Sequence, residues 1–137
     1  MRDIKFRGQQ INTKKWIYGY LYKEKGLYLI CENIRYAEEE PIFLDTVGQY
    51  TGLKDENGKE IYEGDIIEFS YDMFVGYFDT FIAKGKVVFE EGAFYVEVFE
   101  NERITKDEAY LLYSINLDTI ELMGNIYDNP ELLAEKE

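Results

Sequence analysis

The fold of this chain is constrained most by a succession of short alternating apolar segments separated by glycine-containing turns. The clearest case is VVFEEGAFYVEV, residues 87–98, where Glu91–Gly92 separates two apolar runs. Alternation with a period of two places alternate side chains on one face of a strand. A two-residue glycine turn joins two such strands in an antiparallel pair. This segment therefore predicts a β-hairpin.

The N-terminal residues repeat the pattern with a stronger aromatic content. Segments at 4–7, 16–23 and 27–31 alternate, and Glu24–Lys25–Gly26 connects the second of them to the third. The chain holds 13 Tyr and 9 Phe among 137 residues, and both residue types favour strands. These segments predict a three-stranded antiparallel meander over residues 4–31.

The whole pattern predicts a mainly β, β-rich α+β fold. We expect an N-terminal aromatic meander (residues 1–44), an SH3-like, partly open β-barrel (45–127) and a short C-terminal helix (128–137). The barrel is predicted because the order and spacing of the segments EGDII, GKVVF and GAFYV are similar to those of SH3-like barrels. This analogy carries no function. The helix rests on Asn129 as its cap and Pro130 at its first position.

The central stretch YTGLKDENGKEIYEGDIIEF, residues 50–69, concentrates acids, Asn and Gly between two apolar runs. A calcium loop of the EF-hand type needs an oxygen ligand at position five and Gly at position six. Counting from Asp55, Gly58 falls at position four and Lys59 at position five. We therefore interpret Asn57–Gly58 as a type I′ turn and Glu63–Gly64–Asp65 as a second tight turn. No metal site and no cofactor are predicted.

The composition also limits the chemistry. The chain has no histidine and one cysteine, Cys31, so histidine-based triads, zincin motifs and internal disulfides are excluded. Close acid pairs could supply an acid and a base for glycoside hydrolysis, namely Glu38, Glu39 and Glu40, Glu63 with Asp65, and Glu90 with Glu91. With 28 Asp and Glu, such pairs are expected by chance. We predict that the protein is not an enzyme and keep a carboxylate-based hydrolase as an alternative.

The charge is unevenly distributed along the chain, whose net charge is −13. Residues 1–30 carry seven Lys/Arg and two acids, a net charge of +5, whereas the remainder carries eight Lys/Arg and 26 acids, a net charge of −18. A basic end and an acidic body favour head-to-tail self-association or a basic partner.

An aromatic stripe on the predicted strand over residues 16–22 is the first candidate binding site. Trp16, Tyr18, Tyr20 and Tyr22 alternate and are flanked by lysines, so they could stack nucleobases while lysines contact phosphates. We favour the interpretation that the four rings form a buried face of the meander. The acidic body also disfavours nucleic acid as a partner.

The second candidate is the stretch from Tyr71 to Phe81, which is apolar but lacks clean alternation. We interpret it as a long loop whose side chains either fold back onto the barrel or contact a partner chain. Its candidate binding residues are Met73, Phe74, Tyr77 and Phe78.

Several motifs in order resemble the YopX protein family, whose members are small proteins encoded by bacteriophages and prophages. They are MRDIKFRG at the start, the W-x-Y-G step at Trp16–Gly19, the block VGQYTGLKDENGKEIYEGDII and the ending IELMGNIYDNPELL. The resemblance spans nearly the whole chain, apart from residues 71–84. It implies a phage or prophage origin and a β-rich fold, and it supplies no catalytic residues. Its motif positions here include Gly52, Asp55, Asn57, Gly58, Glu63, Gly64 and Asp65, which are typical turn residues.

We therefore expect a non-catalytic accessory protein that binds another host or phage protein or associates with itself as a homo-oligomer. The alternative is a nucleic-acid binder that uses the basic and aromatic N-terminal segment. With no leader pattern and no apolar run of membrane length, we expect no membrane contact and a location in the cytoplasm of the bacterial host.

Overall fold

The computed structural model describes residues 3–32, 40–101 and 109–133. Eleven strands lie within these ranges: β1 (Phe6–Gln9), β2 (Trp16–Glu24), β3 (Leu27–Cys31), β4 (Glu40–Pro41), β5 (Gly48–Lys54), β6 (Glu60–Tyr62), β7 (Asp65–Phe74), β8 (Phe78–Glu90), β9 (Ala93–Asn101), β10 (Ala109–Leu111) and β11 (Glu121–Asn125). The helical segments in these ranges are 3₁₀ turns: Leu44–Thr46, Leu112–Ser114, Leu117–Thr119 and Pro130–Leu133. None of the described segments is a helix with the length and hydropathy needed to span a bilayer.

The chain divides into two compact units, residues 1–52 and 53–137. In the first unit, the strands follow one another in the order β4-β3-β2-β1-β5, and neighbouring strands are antiparallel. Lys25 and Gly26 join β2 to β3 with φ values of +50° and +79°. The predicted meander and its glycine turn are therefore confirmed. The domain boundaries predicted from the sequence stay predictions.

Part of the core of the first unit lies on the face of β2 that carries the half-buried Ile17 and Leu21. Leu21 pairs with Ile30, which is fully buried. Ile17 pairs with Gly8, where an added Cβ would lie 2.9 Å from Ile42 Cδ1. This side of the core therefore gains apolar side chains from other strands. The ring-bearing face of β2 is covered in part, since Leu29 and Cys31, which pair with Tyr22 and Tyr20, are also buried.

In the second unit, five strands form one antiparallel sheet in the order β10-β9-β8-β7-β11. Glu91 and Gly92 join β8 to β9 with φ values of +49° and +83°, which confirms the hairpin predicted from residues 87–98. Its inward residues belong to a buried cluster whose members include Ile61, Ile67, Phe69, Val87, Phe94, Val96, Val98, Leu112 and Ile120.

The β-rich class is confirmed, and the sheets are not closed into a barrel, whereas the partly open SH3-like barrel stays a prediction. Closure requires the two edge strands of a sheet to pair. Among the described residues, β10 pairs with β9 and β11 pairs with β7, and the two edges do not pair with each other.

The C-terminal helix is corrected, because Pro130–Leu133 forms a single 3₁₀ turn and residues 134–137 lie outside the described ranges. The side-chain oxygen of Asn129, the predicted cap, accepts the Asn125 N–H at 3.2 Å.

Candidate functional site

The segment 71–81 is the end of a β-hairpin and not the predicted loop. β7 continues to Phe74, β8 begins at Phe78, and these two residues pair directly across the strands. At the tip, the Val75 N–H donates to the Tyr77 carbonyl at 2.8 Å, and Gly76 has a φ of +94°. The alternation is hidden in the sequence because apolar residues occupy both faces of these strands.

The inner face of this hairpin packs into the second unit. Tyr71 is buried and stacks on Tyr110, with ring centroids 5.2 Å apart, and its hydroxyl donates to the Asn101 side-chain oxygen at 2.8 Å. Met73 and Phe81 pack against the same core. Met73, a predicted binding residue, therefore contributes to the core.

The outer face and tip carry an exposed group that we call the arm surface: Phe74, Val75, Tyr77, Phe78 and Ile82. Phe74, Tyr77 and Phe78 keep 63%, 64% and 78% of their surface exposed. The solvent face of an antiparallel sheet normally carries polar side chains. The structure thus places three of the four predicted binding residues of this segment together in water.

Acidic side chains border the arm surface. Asp72 and Asp79 are exposed, and Asp72 accepts a hydrogen bond from the Thr80 hydroxyl at 2.7 Å. Beside Ile82, an open depression of about 260 Å³ is lined by Glu68, Ala83, Lys84, Glu100 and Asn101. The Lys84 ammonium lies 3.7 Å from a Glu100 carboxylate oxygen, so the local cation already faces an acid. The arm surface is apolar with an acidic border.

The N-terminal aromatic stripe is divided between two environments. Trp16 and Tyr22 are half-buried, and the Arg7 guanidinium lies 4.8 Å from the Trp16 ring centroid. Tyr18 and Tyr20 are 42% and 52% exposed, so the interpretation of a wholly buried ring face is wrong for them. The ring face is covered only in part, since Arg7 and Cys31, which pair with Tyr18 and Tyr20, are buried while the two rings are not.

Tyr18 and Tyr20 line an open groove of about 580 Å³ in the first unit. Its other lining residues are Asp3, Ile4, Lys5, Gly19 and Glu32. Sequence reasoning missed Asp3, Ile4 and Glu32. A hairpin turn at Lys25–Gly26 sets Tyr20 opposite Cys31 and so brings Glu32 nearby. Counting outward from that turn is the sequence signal that could locate Glu32.

The central stretch forms a turn organised by one buried carboxylate, that of Asp55. One carboxylate oxygen accepts the N–H groups of Asn57 and Lys59, each at 2.9 Å, and the other accepts the Leu122 N–H at 3.1 Å. The turn is confirmed, whereas its type I′ geometry is wrong. Asn57 is not among the described residues with positive φ, and Gly58 alone of that pair takes a left-handed conformation, with φ +83°. The turn closes between Asp55 and Lys59, so it holds one residue more than a two-residue hairpin turn.

The pKa of the Asp55 carboxyl reflects two opposing effects. Burial favours the neutral acid and so raises the pKa. The hydrogen bonds from Lys59, Leu122 and Asn57 and the charge of Lys59 favour the carboxylate, and together they hold the pKa below its usual 3.8. Asp55 is therefore a charged, structural residue at neutral pH.

The remaining motif positions also shape the backbone. Gly52 and Gly64 take left-handed conformations, with φ +86° and +93°. Asp65 is buried, and one of its oxygens accepts the Tyr62 N–H at 2.7 Å across the turn that contains Glu63. These contacts agree with the interpretation of the motif as a set of turn residues.

The comparison with known proteins identifies the family. Residues 5–134 match the family model described as YopX protein. The chain belongs to the YopX family. A crystal structure of protein EF1440 from Enterococcus faecalis is similar, with a TM-score of 0.56 and 23% identity, covering 98% of this chain and 100% of that chain. At that identity the likeness concerns the fold. Among proteins with curated descriptions, none matches this chain.

The acid pairs of this YopX protein do not come together as a cluster in the described residues. Asp65 is buried and engaged by backbone, whereas Glu90 and Glu91 are exposed at a hairpin turn. Glu38 and Glu39 lie outside the described ranges, as does the side chain of Glu40. Within 3–32, 40–101 and 109–133, no group of three or more Cys, Asp or Glu is placed to hold a metal ion.

Proposed function

We propose that this YopX protein is a non-catalytic accessory protein that binds another protein through the arm surface. The observation that carries this proposal is the exposure of Phe74, Tyr77 and Phe78 at the end of a hairpin. Large aromatic side chains are enriched at the centres of protein interfaces, where full burial of each contributes about 1.5–3 kcal/mol.

The acidic border defines the chemistry of the partner. Asp72 and Asp79 are exposed beside the hairpin tip, Glu68 lines the depression beside Ile82, and the chain has a net charge of −13. A partner with an apolar patch flanked by Lys or Arg would complement this surface and would be attracted to it at a distance. Two copies joined arm to arm would bring like charges together. We therefore take a different, basic protein as the leading partner and self-association as the alternative.

The family resemblance supports a setting for this interaction. YopX proteins are encoded by phages and prophages, so the proposed partner is a host or phage protein in the bacterial cytoplasm. A basic host surface, including one that normally contacts DNA, fits the charge of this chain.

The proposal is tested by quantitative affinity capture from bacterial extract with three baits: the wild type, Phe78→Ser and Phe89→Ser. Phe89 is a suitable control because it is also an exposed aromatic residue on a cross-strand pair of β8, with its ring 5.0 Å from that of Phe94. We expect a protein that is retained by the wild type and by Phe89→Ser and is lost with Phe78→Ser. Identical capture by all three baits would overturn the proposal. Circular dichroism melting of each bait separates loss of binding from loss of fold.

A further inference from the structure

We propose that the groove beside Tyr18 and Tyr20 binds the guanidinium group of an arginine side chain in a basic peptide. This site belongs to the first unit and is argued independently of the arm surface. It rests on the joint placement of two exposed rings and two carboxylate side chains around one open groove of about 580 Å³.

The two rings provide the aromatic part of the site. Tyr18 and Tyr20 are two residues apart on β2, so their side chains share a face and start roughly 7 Å apart. A planar cation can contact both rings at that spacing, and the face of an aromatic ring attracts a cation. Arginine suits such a site better than lysine because its flat guanidinium also stacks on rings.

The charges of the groove select a cation over an anion. Asp3 and Glu32 contribute two carboxylates, and Lys5 contributes the one ammonium among the lining residues. The Lys5 Nζ lies 5.1 Å from the centroid of the Tyr50 ring, so this cation is already paired with an aromatic ring. Among the lining residues the carboxylates therefore outnumber the cation, although Arg7 lies opposite Tyr18 on the neighbouring strand.

The backbone conformation at Gly19 holds Glu32 beside the rings of Tyr18 and Tyr20. An added Cβ on Gly19 would lie 2.2 Å from the Cys31 carbonyl oxygen and 2.9 Å from Glu32 Cα. Glycine thus permits β3 to approach β2 closely, and this approach brings Glu32 to the groove. The same sheet already holds a guanidinium over a ring, since Arg7 lies over Trp16.

A nucleobase could also stack on Tyr18 and Tyr20. Its phosphates would approach Asp3 and Glu32, which repel them. We therefore argue for the basic peptide and treat nucleic acid as an outcome of the test.

The test uses amide chemical shifts of the isotope-labelled full chain during titration with three probes. They are acetyl-Gly-Arg-Gly-amide, the same peptide with citrulline in place of arginine, and a thymidine oligonucleotide. Citrulline keeps the shape of arginine and removes its charge. We expect the arginine peptide to shift the amides of Gly19, Tyr20 and Glu32 in a saturable manner, and the citrulline peptide to leave them in place.

Substitutions locate the site. Tyr20→Ala should weaken binding of the arginine peptide by about threefold to tenfold, Tyr20→Phe should retain it, and Glu32→Gln should weaken it. Phe89→Ala, in the other unit, should change nothing. The proposal is overturned if the arginine peptide shifts amides across the acidic surface equally in the wild type and Tyr20→Ala. It is also overturned if the oligonucleotide, and not the arginine peptide, shifts the groove amides.

Discussion

Phe74 and Phe78 face each other directly across the end of the β7–β8 hairpin, with ring centroids 5.3 Å apart and ring planes at 65°. This edge-to-face pair lies on the outer face of the sheet, opposite the buried side chain of Tyr71. Edge-to-face aromatic pairs are favourable, yet this one leaves most of both rings in water. A contribution to the stability of the fold therefore does not account for this exposed pair, whereas the proposed contact with another protein does.

The first prediction separates binding from stability at the arm surface. Phe78→Ser removes one ring of an exposed pair, so the free energy of unfolding should fall by less than about 1 kcal/mol. Urea denaturation followed by tryptophan or tyrosine fluorescence measures this change. A loss of several kcal/mol would show that the pair is part of the core, and the protein-binding interpretation would lose its main support.

The second prediction concerns the close approach of β3 to Gly19. Gly19→Ala should destabilise the first unit by more than about 2 kcal/mol, because its Cβ would meet a backbone carbonyl that cannot rotate away. Gly26→Ala is the matched control: it also has a positive φ, of +79°, but lies in open space and should cost about 1 kcal/mol. Thermal melting of both variants compares their losses of stability. Equal decreases in Tm for Gly19→Ala and Gly26→Ala would contradict the close approach of β3 to Gly19.

The third prediction is a pH dependence of stability at Asp55. Because the folded-state pKa lies below the usual 3.8, the carboxylate stabilises the fold above about pH 4 and loses this effect as the pH falls through the folded-state pKa. Asp55→Asn leaves backbone N–H groups poorly satisfied and should cost about 1–3 kcal/mol at neutral pH. The difference between the two proteins should shrink in acid. A difference that stays constant from neutral pH to pH 2.5 in urea titrations would refute this role.

The fourth prediction distinguishes two modes of self-association. Contact between two arm surfaces brings acids together, so salt should screen the repulsion and increase any dimer. Head-to-tail contact between the +5 and −18 parts of the chain should instead weaken with salt. Sedimentation velocity at about 0.05 M and 0.5 M salt separates them. A dimer that persists in Phe78→Ser at both salt concentrations would show that the arm surface takes no part.

The hairpin turns could be predicted from the sequence because turn chemistry is local. Lys25–Gly26 and Glu91–Gly92 supply the positive φ values that two-residue turns need, and both occur as expected. The Asn57–Gly58 turn was located correctly, but its geometry depends on the Asp55 carboxylate, which also binds the distant Leu122 N–H. A contact 67 residues away is not visible in a local pattern.

The candidate sites were only partly predictable, because burial depends on other strands. The rings of Tyr18 and Tyr20 alternate as a core face would, yet the buried side chains there, such as Cys31, come from the neighbouring strand, and the two rings stay exposed. At the end of the β7–β8 hairpin, Phe74 and Phe78 lie on the solvent face and Tyr71 and Met73 lie on the inner face, so both faces are apolar. The result is an apolar run without a period, which resembles a loop.

The central claim is that the end of the β7–β8 hairpin contacts another protein, and site-specific photo-cross-linking tests it most directly. A photoreactive phenylalanine analogue would replace Tyr77 in one protein and Phe89 in a second, and both would be irradiated in bacterial cells. We predict a discrete covalent adduct with a basic protein from position 77, absent from position 89 and abolished by adding Phe74→Ser. The same adducts from both positions, or none from position 77, would contradict the account.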